Sequence, residues 1–271
     1  MRSLLGSGTV DSLGAVPLTT FDPGRDGFSF ANNWTLNDAQ RDELRQQVAS
    51  SLSTALAALT PAFPGAFALL RLSPRLAEAV AGGIPDGYGL CGGMAFAARD
   101  YYERGGAAAL SALYSDRPST GSPLYVYLWR RLLDSLTLNV PTFLAWIAML
   151  HLVPATPPFG GGPSWLLERT REQVAELKRR LARGEPTPLG LVGDTRDPFN
   201  DHQVLAYDCD TSDPDRPIIY IYDMNCPGSG QTLSLDLHGP LVASIESCPG
   251  ARGPLRGLFC ETYVGATPPS V

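Results

Sequence analysis

Apolar positions follow two different periods along this chain. In the first two thirds they recur every three or four residues, the spacing of one helix face. The first such stripe runs through Leu44, Val48, Leu52, Ala55, Leu56 and Leu59. Asn37 stands before it as an N-cap, with Gln40 three residues on as the partner of a capping box. Pro61 and Pro64 close it. Residues 65–81 predict a short helical stretch stopped by Gly82, Gly83 and Pro85. A further helix follows the glycine-rich approach D-G-Y-G-L-C-G-G-M. Its apolar face collects Cys91, Met94, Ala95, Ala98 and Tyr102, which puts Cys91 at or just before the first turn. Residues 107–153 read as helical, with breaks at Pro118, Gly121, Pro123 and Pro141. A polar helix capped by Ser164 carries Glu168 and Glu172 early and Lys178, Arg179, Arg180 and Arg183 late. That order suits the helix dipole, and Gly184 ends the element.

After Pro186 the period shortens. Segments 188–193, 202–208, 218–223, 232–237 and 258–264 have strand character. The turn-rich run 209–217 joins two of them as a hairpin. Helices first and strands last argue the α+β class, with an antiparallel sheet. Residues 1–35 lack a period and predict an irregular N-terminal segment. Residues 36–271 then make one domain, with a helical part over 36–185 and a β part over 186–271.

Composition removes several classes of function. Hydrophobic residues make up 44% and charged residues 18%, a globular balance that excludes a disordered chain. The 28 Gly and 24 Pro have no period of three, which excludes collagen. The formal charge of −6 comes without any concentrated basic face, so nucleic acid is not an expected partner. The start has no secretory apolar core. The apolar run from Val140 to Val153 falls short of the ~20 residues of a membrane span. No transmembrane segment and a cytoplasmic location are therefore expected. Five cysteines show no CxxC, and the three histidines supply no zinc pattern, so no metal and no cofactor are expected. Reduced thiols are the default reading. Cys209, Cys226, Cys248 and Cys260 read as incidental, and a redox or metal site from Cys91, His202 and Cys226 is the weakest option.

Cysteine-based catalysis needs a thiol favoured as thiolate, a histidine that handles its proton and a group that orients the histidine. Cys91 has a helix start, whose partial positive charge favours thiolate. His202 opens an apolar strand. Asp223 ends the next strand, followed by Asn225, and a hairpin brings that end beside His202. Asn225 is the second choice for fixing the ring. Tyr88 and Asp86, ahead of Cys91, are candidate cleft residues, and Gly92 and Gln203 flank the two reactive positions.

The motifs G-L-C-G-G-M-A-F, D-H-Q-V-L-A-Y and I-Y-D-M-N-C-P-G together resemble the papain-like cysteine peptidase fold, closest to bacterial peptidase-C39-like proteins. The resemblance implies that Cys91 is the nucleophile on a central helix, His202 the base and Asp223 its orienting partner. It implies a hydrolase acting on a peptide or a small amide or thioester. Two features depart from the family pattern. Asp86 and Pro85 stand where a Gln usually supplies an oxyanion donor, and Met224 replaces the Pro of D-P-N. A non-catalytic papain-like binding or structural module is the alternative expectation.

Overall fold

The computed structural model describes residues 17–59, 89–105, 110–152, 161–194, 201–249 and 253–270. Tyr88 and Asp86 lie outside them, as do Pro61, Pro64 and the stretch expected to be helical over 65–81. The helices are α1 (Pro23–Asp26), α2 (Asp38–Leu59), α3 (Cys91–Arg104), α4 (Leu110–Leu113), α5 (Pro123–Leu152) and α6 (Gly162–Leu181). The strands are β1 (Thr187–Gly193), β2 (His202–Asp210), β3 (Ile218–Tyr222), β4 (Gln231–Asp236), β5 (Ala243–Glu246) and β6 (Leu255–Cys260). They form one curled antiparallel sheet in the order β5-β4-β3-β2-β1-β6. The class is α+β.

The capping box at α2 forms as its sequence implies. The Asn37 N–H donates to Gln40 Oε1 at 3.1 Å, and the Gln40 N–H donates to Asn37 Oδ1 at 2.9 Å. Helix α3 begins at Cys91, and its first ten residues, Cys91 to Asp100, are all buried. An amphipathic stripe therefore understates it: α3 is wrapped on every side, by α5, by β2 and by the N-terminal segment. Residues 17–36 carry no long element, yet Phe21, Phe28, Phe30, Trp34 and Leu36 are buried in the same cluster as Cys91, Met94 and Leu128.

Three sequence expectations need correction. Pro141 does not break its helix, because α5 runs through it from Pro123 to Leu152. Packing of α5 against α2, α3 and α6 outweighs the one backbone hydrogen bond that a proline removes. A Pro123–His151 stretch is consequently long and apolar enough to cross a membrane, but 56% of its apolar window is buried within the protein. Among the described residues no other helix meets that test. Ser164 is not the N-cap of α6: Gly161 caps it and Pro163 occupies the first turn, where its missing N–H costs nothing. Finally, β5 lies within a region that showed no strand pattern.

Helix α6 lays Leu166, Thr170, Val174, Leu177 and Leu181 on the sheet side, against β6, β2 and β1. Arg169 and Glu172 face solvent, while Arg180 and Glu176 are half-buried and Arg180 donates to the Glu261 carbonyl at 3.0 Å. The C-terminal tail is fixed to α3 and α5 by polar contacts. Asn139 Nδ2 donates to the Thr262 carbonyl at 3.0 Å, and the Thr262 N–H donates to Asn139 Oδ1 at 2.8 Å. The buried Asp100 carboxylate accepts from Arg131 Nε at 2.7 Å, the Tyr127 hydroxyl at 2.8 Å, the Tyr263 hydroxyl at 2.7 Å and the Ala266 N–H at 2.8 Å.

Candidate active site

Register sets the histidine and its partner side by side. Leu205 pairs with Tyr222 across β2 and β3, so the antiparallel count brings the start of β2 opposite the residues just past β3. His202 is buried there. Its Nε2 donates to Asp223 Oδ1 at 2.9 Å, and Asn225 Nδ2 lies 3.1 Å from the same nitrogen. Asp223 Oδ1 also accepts from the Asn225 N–H at 2.8 Å, the mark of an Asx turn. With Nε2 engaged by Asp223, the other ring nitrogen is the one left for Cys91, whose side chain hydrogen-bonds His202.

Electrostatics follow from this geometry. Burial alone would lower the proton affinity of His202, but the Asp223 carboxylate and then Cys91 outweigh it and hold the imidazole well above its ordinary range. Burial would raise Asp223, but the His202 cation pulls it below the usual carboxylate range. The pair therefore favours an imidazolium facing the sulfur, which in turn favours thiolate. At the other two thiols outside a disulfide, burial pushes Cys209 up to about 11 and Cys260 up to about 12.

Gln203 and Gly92 sit directly behind Cys91. Gln203 Oε1 is 4.0 Å from Cys91 Sγ and 3.4 Å from the Ser135 hydroxyl, which can donate to it. A side chain at position 92 would collide with the Gln203 amide and with Ser135, so only glycine lets the helix start approach β2 this closely. Gln203 Nε2 donates to Glu261 Oε1. Burial pushes the Glu261 carboxyl up to about 8, opposed by the Gln203 hydrogen bond and reinforced by the charge of Cys91.

Several residues at the site were invisible in the sequence. Asn32, in the stretch read as irregular, spans the gap between the two motifs. Its Oδ1 accepts from the Leu90 N–H at 2.5 Å, its N–H donates to the Met224 carbonyl at 3.1 Å, and its Nδ2 donates to Asn225 Oδ1 at 3.3 Å. Gly89 leaves the room that the Asn32 amide fills. Glu246, at the end of β5, places its carboxyl against Asp223. Glu261 has no motif around it. No local signal marks any of the three, because each is brought in by tertiary packing.

The expectation that Cys226 and Cys248 are incidental thiols is also corrected: they form a disulfide. It ties the turn after β3 to the end of β5, and such bonds persist in oxidising compartments. This removes Cys226 as a redox or metal partner of Cys91. Asp223, Glu246 and Cys248 have ligand atoms within 4.8 Å of one another, but the Cys248 sulfur is committed to the disulfide and offers no thiolate.

No protein-family model, curated protein or solved structure matches this chain.

Proposed function

We propose that the protein is a papain-like thiol hydrolase, with Cys91 as nucleophile, His202 as acid and base, and Asp223 as the group that orients the imidazole. The observation that carries this reading is the buried chain of hydrogen bonds from Cys91 through His202 to Asp223. The resemblance of the three motifs to papain-like peptidases points the same way.

In the reaction, the Cys91 thiolate attacks the carbonyl carbon of an amide or thioester. His202 gives its proton to the departing nitrogen or sulfur, leaving an acyl-thioester on Cys91. Water then attacks that thioester while His202 takes its proton, and the acid product leaves with the thiol restored. Developing negative charge on the carbonyl oxygen would fall at the N-terminal turn of α3, where backbone N–H groups and the helix dipole favour an anion.

A peptidyl electrophile such as a vinyl sulfone tests the reading. One probe molecule should add per chain, at Cys91, and His202→Ala should abolish the addition. Equal labelling of Cys91, Cys209 and Cys260 would refute it.

A further inference from the structure

The catalytic chain does not stop at Asp223. Asp223 Oδ1 already accepts from His202 Nε2 at 2.9 Å and from the Asn225 N–H at 2.8 Å. A Glu246 carboxyl oxygen lies within 4.8 Å of a carboxyl oxygen of the same Asp223. Two carboxylates in such contact repel, and Glu246 Oε1 is buried with no donor facing it among the described residues. One proton between the two groups removes both problems. It turns Glu246 into a donor and gives Asp223 another hydrogen bond.

We propose that Glu246 is a positioning residue of this site: it donates a hydrogen bond from a neutral carboxyl to Asp223, and the Cys226–Cys248 disulfide holds it there. The inference rests on the thiol-hydrolase reading. Burial and the neighbouring Asp223 charge both push the Glu246 proton affinity up, and the His202 cation only partly opposes them. The covalent tie has the right ends. Cys226 follows Asn225 directly, and its N–H donates to the Asp223 carbonyl at 2.9 Å. Cys248 lies two residues beyond Glu246 and closes a separation of 22 residues. On the strand side, Glu246 pairs with Leu233 of β4, and the Ser247 N–H donates to the Thr232 carbonyl at 2.9 Å. Strand β5 is an edge of only four residues, so the disulfide is the stronger tether for Glu246.

The site consequently has opposite needs at its two ends. Cys91 works as a thiolate, while Cys226 and Cys248 must stay oxidised to keep Asp223 buttressed. Reducing the disulfide takes two electrons and two protons from a dithiol, which is itself oxidised to its disulfide, and frees the end of β5.

The test measures the alkylation rate of Cys91 by iodoacetamide at neutral pH, resolved by mass spectrometry, in Glu246→Gln, Glu246→Met and the double Cys226→Ser, Cys248→Ser variant. Gln can still donate to Asp223 and Met cannot, though both fill the space. Glu246→Met should slow Cys91 by about tenfold or more, the size of a lost hydrogen bond to a charged group. Glu246→Gln should stay within about threefold of the parent, because the donor is kept. The double serine variant should fall with Glu246→Met. Equal rates in Gln and Met variants would overturn the role of Glu246, because a packing role does not distinguish them. A parent-like rate in the double serine variant would overturn the role of the disulfide. If Cys91 of the parent protein reacts no faster than Cys209 and Cys260, the hydrolase reading itself fails, a result distinct from either.

Discussion

Asp100 and Asp223 are both buried acids, yet their surroundings are opposite. Asp100, near the end of α3, accepts from Arg131, two tyrosine hydroxyls and a backbone N–H. Each partner is a donor that stays a donor, so every contact in the cluster is attractive. Asp223 shares its space with another carboxyl, Glu246, and with a histidine whose charge depends on a thiol. Glu261 adds a third acid close to the same sulfur. There the protons can be distributed in more than one way, and buried oxygens of Glu246 and Glu261 lack donors among the described residues. Groups with shifted proton affinities and incomplete satisfaction collect where chemistry is done, whereas saturated ion pairs hold a fold together.

Substitutions should separate the two clusters. Asp100→Ala leaves the buried Arg131 with only the half-exposed Asp134 carboxylate and the Val264 carbonyl, and should cost about 3 kcal/mol of stability, read as a fall of roughly 10 °C in thermal unfolding. The fraction that remains folded should still alkylate at Cys91. Asp223→Ala should reverse the pattern. His202 can relieve the loss by giving up its proton, so unfolding moves less than in Asp100→Ala, while Cys91 alkylation at neutral pH slows about tenfold or more. If both variants lose stability and reactivity alike, the distinction between the clusters is void.

Glu261→Gln acts on stability through pH. The carboxyl titrates at about 8 in the fold against 4.5 for the ordinary group. Between those values the folded protein keeps a proton that the unfolded chain has released. Stability from this group therefore falls as pH rises from 4.5 to about 8 and is level outside that window. Removing the acid should flatten the slope and make the variant relatively more stable at the alkaline end. Parallel denaturation curves for both proteins across that range would count against it. The smallest effect is expected at Asn32→Ala. It removes one acceptor for the Leu90 N–H and one donor to Asn225, and it should slow Cys91 alkylation severalfold while costing about 1 kcal/mol in urea unfolding. An unchanged alkylation rate would reduce Asn32 to a loop contact.

What could be read from the chain was local. The Asn37–Gln40 capping box, the helix start at Cys91 and the strands carrying His202 and Tyr222 all announce themselves through neighbours in sequence. The hairpin between β2 and β3 is short enough that its partners are nearly local too, so the meeting of His202 and Asp223 follows from it. Strand β5 was not legible because it is short, lies at the sheet edge and exposes Ile245. With β5 unseen, Glu246 had no reason to be near Asp223. The Cys226–Cys248 pairing depends on the same missing strand, and cysteine partners do not follow from spacing alone. Asn32 was hidden for another reason. Its backbone is irregular, and only the burial of Phe28, Phe30 and Trp34 fixes where it passes. Pro141 misled because a proline signal is local, while the packing that keeps α5 continuous is not.

On the proposed reading, His202 holds Cys91 ready as a thiolate. The most direct measurement is the pH dependence of Cys91 alkylation by iodoacetamide, in the parent protein and in His202→Ala. Cys91 should react ahead of Cys209 and Cys260, its rate should persist well below the ordinary thiol range of about 8.5, and His202→Ala should move the profile up towards that range. A parent profile that rises only near 8.5 and is untouched by His202→Ala would contradict it.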